Sequence, residues 1–359
     1  MAFEALLAEY EARRAKALAG GGAEKYAKRT AAGVWNARER IDYLVDKGSF
    51  IESGLFGSSG VYPEDADETQ TDGKLAGFAR VNGRDVAIVV NDFTVKGAST
   101  SATNSKKIAH MKRAATERGM PLVLIGESTG ARLPDAMGSR GMGLLLGNDN
   151  TQFRRSRETP MCAAAFGPSF GSSTWLMCQS DFAVMQKGAI MAVSSPRLVS
   201  MALGEKVSAE DLGGWRLHAD ITGLVDQVVE REEEVFDAIK RFLSYLPGHQ
   251  NEAPPDAPVP VGSGADMGKV FDILPESRTQ VYDMKRVLRC IVDKDSLFEL
   301  KPRFGKSAVA ARSMPTPVAR SSISWCCAIR STCRSSYWST RPASRLARRR
   351  KKRARRARS

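Results

Sequence analysis

Pro121-Leu122-Val123-Leu124-Ile125-Gly126-Glu127-Ser128-Thr129-Gly130-Ala131-Arg132 is a short apolar run that passes directly into small and polar residues. A run of this length bounded by turn residues reads as a buried strand, and the residues after it read as the turn by which the chain leaves the sheet. The pattern returns downstream, where an apolar run at 161–166 is followed by Gly167-Pro168-Ser169-Phe170-Gly171-Ser172-Ser173. Upstream, residues 102–118 place Ile108, Met111 and Ala115 in helical register and end at Gly119. Before that helix, 75–81 and 86–90 flank Asn82-Gly83, a strong hairpin signal because both turn positions tolerate positive φ. A helical segment is expected near 141–157, a helix opening near Gly171 and a strand at 182–185. Strands alternating with helices specify layered α/β architecture, and the repeated order of strand, small-residue turn and helix gathers helix N-termini on one side of the sheet. Unpaired N–H groups there suit a phosphate, a carboxylate or a developing oxyanion. Gly and Ser at such turns are also ordinary turn chemistry, so neither turn identifies a site alone.

Outward from this centre, residues 3–18 form an amphipathic helix with Phe3, Leu6, Leu7 and Tyr10 on one face, stopped by Gly20-Gly21-Gly22. A second helix starts at the N-cap Asn36, carries Ile41, Leu44 and Val45, and ends by Gly48. Residues 54–73 read as a long loop, and a later helix is expected at 231–246. The stretch 247–264 has five prolines and four glycines or serines and reads as a linker. Residues 269–300 look folded again.

The chain has 359 residues, 42% of them hydrophobic, which suffices for a buried core and excludes wholesale disorder. Its formal charge of +14 is concentrated at one end: residues 301–359 hold 18 of the 54 Lys and Arg and no acid, leaving 36 basic against 40 acidic side chains in 1–300. From 312 onward, 13 Arg, 2 Lys and 10 Ser take 25 of 48 positions without apolar periodicity, so this tail builds no core. It reads either as a nucleic-acid-binding arm, with Trp325, Tyr337 and Trp338 available to stack on bases, or as the out-of-frame product of a GC-rich gene. The second reading is adopted. No C-x-x-C pair occurs, which removes zinc-ribbon and thioredoxin-like chemistry, and the body cysteines Cys162, Cys178 and Cys290 read as small core residues. No metal site is expected. No apolar run reaches 18 residues, and an acid stands where a signal peptide would be positive, so a soluble cytoplasmic protein is expected.

Several segments together resemble one family, the carboxyltransferase (β) subunits of biotin-dependent acyl-CoA carboxylases of the propionyl-, methylcrotonoyl- and acetyl-CoA type. They are Arg38-Glu39-Arg40-Ile41 with Gly48-Ser49-Phe50 and Glu52; Asp92-Phe93-Thr94-Val95 with Gly97; and Gly204-Glu205-Lys206-Val207-Ser208-Ala209-Glu210-Asp211-Leu212-Gly213-Gly214 ending in His218. Tyr282-Asp283-Met284 through Asp293, Ser296, Phe298 and Glu299 is similar to the start of the family's second half. The resemblance covers about residues 1–310.

What it implies is an α/β fold of the ClpP/crotonase-like type, a spiral of repeated ββα units forming the N-terminal half of a two-half carboxyltransferase. The implied enzyme transfers a carboxyl group from carboxybiotin, held in trans on a carrier protein, to the α carbon of a short acyl-CoA through an enolate whose oxygen is held by main-chain donors. By position, Thr129, Gly130, Gly171 and Ser172 are the expected catalytic residues, and Lys96, Gly97, Ala98, Ala131 and Arg132 the expected cofactor-binding ones. The family prefers Gly-Gly at both turns, where this chain has Thr129-Gly130 and Gly171-Ser172. Lys187 and Arg197 join Lys96 and Arg132 as candidates for CoA phosphates, with solvated surface charge as the alternative, and His218 reads as structural. Implied partners are acyl-CoA, a biotin carboxylase with its biotin carboxyl carrier, and further copies of the chain; membrane and nucleic acid are not among them. The expected organisation is a carboxyltransferase domain at 1–247, a linker at 248–268, the start of a second domain at 269–310 and a disordered tail at 311–359, so the chain reads as truncated and incomplete by itself. Alternatives are a catalytically silent interaction protein, a nucleic-acid binder using the tail, or a malonyl-type CoA decarboxylase.

Overall fold

The computed structural model describes residues 2–59, 63–137, 141, 158–277 and 279–304. The helix expected near 141–157, Gly141 apart, and the basic tail lie outside these residues. The described residues form two units, one of 2–255 with 299–304 and one of 256–298.

The larger unit opens with α1 (Ala2–Leu18), α2 (Ala23–Ala31) and α3 (Ala37–Leu44). Asn36 closes a capping box with Glu39 at the start of α3, as its residue type leads one to expect. The apolar stripe expected on α1 is present but faces outward: Phe3, Leu6 and Leu7 are exposed, and burial on this helix falls on Ala17. Helix α2 was not foreseen, because its nine residues present charges and no apolar period.

A sheet follows from β1 (Ile51–Ser53), β2 (Lys74–Val81), β3 (Arg84–Asn91), β4 (Leu122–Ser128), β5 (Met161–Phe170), β6 (Phe182–Gln186), β7 (Ile190–Ala192) and β8 (Gln227–Val229). Its order is β1-β2-β3-β4-β5-β6-β8, with β7 paired to the end of β5. The β2–β3 hairpin turns at Asn82 and Gly83, with φ of 52° and 77°, and β1 adds antiparallel to β2. From β3 onward every pairing is parallel, with Val89 opposite Leu124, Leu124 opposite Ala163, and Ala163 opposite Ala183. Parallel strands need helical crossovers, and these bury both faces, so the strands read as continuous apolar runs. On one face, α4 (Ala102–Arg118) and α6 (Ser172–Gln179) bring Met111, Ala115, Leu176 and Met177 onto Val89, Leu122, Leu124, Ala163 and Met185. The other face is met by α3 and α9 (Glu232–Ser244), where Phe242 stacks on Phe182 at 4.6 Å between ring centroids and Phe236 packs on Phe166. The α/β class is as expected, and the orders β2-β3-α4 and β6-β7-α7 (Pro196–Leu203) are both ββα.

Strand β5 runs further than its sequence suggests. The Gly167-Pro168 pair looks like a turn, yet the strand continues to Phe170, because its last three residues pair with β7 where Pro168 faces Ile190. Helix α4 starts at the capping residue Ser101 and ends at Gly119 in the left-handed conformation. Short helices α5 (Leu133–Ala136) and α8 (Ala209–Gly213) complete the unit, and the smaller unit holds α10 (Val270–Ile273) and α11 (Met284–Ile291). No helix among the described residues is long and apolar enough to cross a membrane.

Candidate functional site

Strands β4 and β5 lie side by side and parallel, so the turns at their C-terminal ends open on the same edge of the sheet. The two turns touch. Gly130 and Gly171 both hold positive φ, 100° and 67°, and a Cβ placed on Gly171 would sit 3.6 Å from the Cα of Gly130. The positive φ favours glycine at both positions, while a Cβ there would make only ordinary van der Waals contact. A third segment, 96–100, runs alongside the first turn. The N–H of Thr100 donates to Gly130 O at 2.8 Å, and the N–H of Arg132 returns to Thr100 O at 2.8 Å.

Main-chain hydrogen bonding decides which expected donors are free. The N–H of Thr129 is given to Gly97 O at 3.0 Å, that of Gly130 to Ser128 Oγ at 3.2 Å, and that of Gly171 to Ala192 O at 3.1 Å. Those of Ala131 and Ser172 have no acceptor among the described residues. The first lies within the parallel bridge to Thr100, where alternate groups point away from the partner, and the second in the first turn of α6, where intrahelical acceptors do not exist. The expected quartet is thus gathered in one place, but its open donors are Ser172 and, one residue beyond Gly130, Ala131. Sequence pattern locates a turn, while the hydrogen bonds inside it depend on the neighbouring segment.

The expected CoA-contacting residues divide in the same way. Gly97, at φ 61°, packs directly under the Thr129 side chain, and Ala98 is fully buried beside it. Lys96 is at the surface and pairs with Glu68, with Asp65 3.9 Å away. Arg132 is 7% exposed and its guanidinium is turned into the protein: it bonds Asp72 at 2.6 Å and Ser99 Oγ at 3.2 Å, with Asp135 3.7 Å away. Such a group holds the turn and is not open to a phosphate. Lys187 pairs with Glu230, whereas Arg197 is exposed on α7. His218 is buried with one ring nitrogen 2.7 Å from Met191 O and the other 3.2 Å from Thr222 Oγ1, in keeping with a structural role. Of the body cysteines Cys162 and Cys290 are buried, but Cys178 is exposed on the outer side of α6.

Side chains passed over in the sequence support the site from behind. Ser128 Oγ donates to Ala98 O at 3.1 Å while accepting the Gly130 N–H, so one hydroxyl fixes both segments. Lys74, fully buried on β2, donates to the same carbonyl at 2.9 Å. Burial pushes its amine down to about 7, against the pull of Asp72 and with the push of Arg132 and Lys107. Just before the turn, Glu127 accepts from Arg29 at 2.7 and 3.0 Å and pairs with Arg40 at 2.5 Å, and Arg40 reaches on to Glu232 at 2.8 Å. Burial alone would push the Glu127 carboxyl up, but the two guanidinium groups hold it below the ordinary range. A lysine directly before the apolar run 75–79 and a glutamate between an apolar run and a turn were the available signals.

Residues 28–314 match the carboxyl transferase domain family. A propionyl-CoA carboxylase carboxyltransferase subunit of Haloferax mediterranei is 31% identical over 321 residues, covering 86% of this chain and 60% of that one. The methylmalonyl-CoA decarboxylase subunit alpha of Veillonella parvula is 31% identical over 303 residues, covering 82% and 58%. Among solved structures, the transcarboxylase 12S hexamer with hydrolysed methylmalonyl-coenzyme A bound is similar with a TM-score of 0.75 at 28% identity, covering 83% of this chain and 58% of that one. The chain spans 56 to 60% of the length of the curated relatives it matches.

Proposed function

The chain belongs to the carboxyl transferase family, with the crotonase-like α/β fold its sequence resembles, and from that premise we propose that it binds a short acyl-CoA and prepares its α carbon for carboxyl transfer. The observation that carries the reading is the meeting of two turns that each leave one main-chain N–H, of Ala131 and of Ser172, without an acceptor among the described residues. Two such donors suit a thioester oxygen, which gains negative charge when the α proton leaves and an enolate forms. The donors are preorganised: Ser128 and the Thr100 bridge hold one turn, and the Gly171 bond to β7 holds the other. They need not reorient as charge develops.

In this assignment Ala131 and Ser172 are the catalytic donors, and Gly130 and Gly171 supply the positive φ that shapes the two turns. Thr129, Gly97 and Ala98 shape the wall. Lys96 stands at the surface end of this segment for the CoA moiety, and Arg132 positions the first turn. Carboxybiotin on a separate carrier, when bound, supplies the carboxyl group and a ureido base for the α proton. The partners are then a biotin carboxylase with its carrier and further copies of the chain. A second reading, decarboxylation of a malonyl-type CoA, draws on the relatives named methylmalonyl-CoA decarboxylase. It uses the same two donors, since loss of the carboxylate leaves the same enolate.

Titration of the purified chain with propionyl-CoA by calorimetry tests the proposal. Saturable binding is expected, and it should vanish in Gly171→Val, whose side chain would project toward Gly130 from a backbone angle that a β-branched residue resists. A folded wild-type sample that shows no binding overturns the reading.

A further inference from the structure

The two touching turns are also joined through their side chains. Thr100 Oγ1 and Ser172 Oγ lie 2.8 Å apart, and neither hydroxyl has another hydrogen-bond partner among the described residues. Two hydroxyls carry two hydrogens, and the bond between them uses one. Whichever oxygen donates, the pair keeps one O–H that has no acceptor among the described residues. The residue is not free surface: Thr100 is 7% exposed, and an unspent donor at such a place costs free energy until a ligand or water takes it.

The placement of this O–H is specific. Thr100 is the residue bridged to Ala131, with its N–H and C=O bonded to the residues on either side of it. Ser172 itself bears the second open N–H, at the first position of α6. Both hydroxyls therefore belong to the residues that carry or flank the two main-chain donors. The wall behind is apolar or committed: Ala98 O is taken by Lys74 and Ser128, Arg132 by Asp72, and Glu127 by two arginines. Among the described residues no carboxylate is bonded to the pair.

We infer that the Thr100–Ser172 hydroxyl pair is a third donor to the thioester oxygen, so that this site uses two main-chain N–H groups and one side-chain O–H; the inference rests on the acyl-CoA reading above. Glycine at 172 would preserve the main-chain donor and forfeit the hydroxyl, so the serine adds a contact that the turn itself does not need. The hydrogen bond strengthens as the oxygen becomes enolate-like, which places its effect on proton loss from the α carbon more than on binding of the CoA moiety.

The test uses the full chain with propionyl-CoA carrying carbon-13 at the thioester carbonyl. Infrared difference spectra read the polarisation of the bound carbonyl, exchange of the α protons into deuterium oxide with free biotin added as the ureido base reads enolisation, and calorimetry reads affinity. Ser172→Ala and Thr100→Val should each return part of the carbonyl downshift and slow α-proton exchange on the order of 10²-fold while leaving CoA affinity nearly unchanged. Ser172→Thr, which keeps the hydroxyl, should restore the band. An unchanged band and exchange rate in both deletions, with ligand bound, overturns the third donor and leaves the main-chain site standing. Absence of binding by the wild-type chain overturns both.

Discussion

Arg40 is 1% exposed and lies between Glu127 and Glu232, with its guanidinium 4.1 Å from the centroid of the Phe166 ring. Burial acts against the charged forms of Arg40 and Glu127 and their pairing offsets it, so Arg40 cannot be removed without cost. Arg40→Met should cost about 3–5 kcal/mol in urea unfolding, because Glu232 loses the guanidinium that pairs with it among the described residues and Glu127 keeps Arg29. Glu127 has a depressed folded pKa, so its stabilising contribution is full above the ordinary carboxylate range and is lost as pH falls through the lower folded value. The acid limb of stability should therefore move to higher pH in Arg40→Met. Lys74 gives the same direction in a higher pH window, but through a buried cation that costs stability when protonated. Its amine titrates near 7 in the folded chain against an ordinary 10.5, so the unfolded chain holds more protons between those values and stability rises with pH across that window. Replacing Lys74 by Met removes the buried charge and should raise stability at pH 7 by about 1–4 kcal/mol, an advantage that shrinks toward pH 10. Denaturant midpoints at pH 7, 8.5 and 10 read the difference, and an equal gain at all three would contradict the buried cation.

Among elements, those specified within a few residues are the ones the sequence announces. Asn36 and Glu39 make a capping box, Asn82-Gly83 makes a hairpin, and Gly119 ends a helix, each through atoms no more than four positions away. Helix α2 gave no such signal, since Arg29 and Tyr26 act through Glu127 and Asp92, 98 and 66 residues distant. The site divides along the same line: both turns are legible as strands ending in small residues, whereas the choice of Ala131 over Thr129 as donor is made by segment 96–100. That segment and the first turn form one packed element, as Gly97 shows. A Cβ there would lie 2.6 Å from Thr129 Cγ2, and φ is 61°. Gly97→Ala should destabilise the chain by about 1–3 kcal/mol and weaken propionyl-CoA binding. Thr129→Gly in the same chain should recover the steric part of the loss but not the backbone strain. Thermal unfolding of the four members of this double-mutant cycle measures the coupling, and purely additive effects would mean that the two residues do not share the space.

At the scale of the whole molecule, the larger unit is not continuous in sequence. It comprises residues up to 255 and then 299–304, with residues 256–298 forming a unit of their own between them. The returning segment is held by specific bonds. Arg303 forms a fork with Asp220 at 2.6 and 2.9 Å, the N–H of Lys301 donates to Asp226 O at 2.8 Å, and the Gln227 side chain donates to Glu299 O. Residues 253–260, by contrast, have no helix or strand, and seven of the eight are exposed, leaving the backbone open to a protease. These two facts make opposite demands on a nicked chain. Brief proteolysis of the native protein should cut first between 251 and 266, and mass spectrometry would place the cut. The two fragments should nevertheless elute together from a sizing column, because 299–304 remains bonded to the body, and should separate only when denatured. Adding Arg303→Ala removes the fork, whose two charge-assisted bonds are the strongest contacts of that segment, and should let the fragments part under native conditions. Fragments of the unaltered chain that separate without denaturant would mean that the body closes before residue 255 and does not need the returning segment.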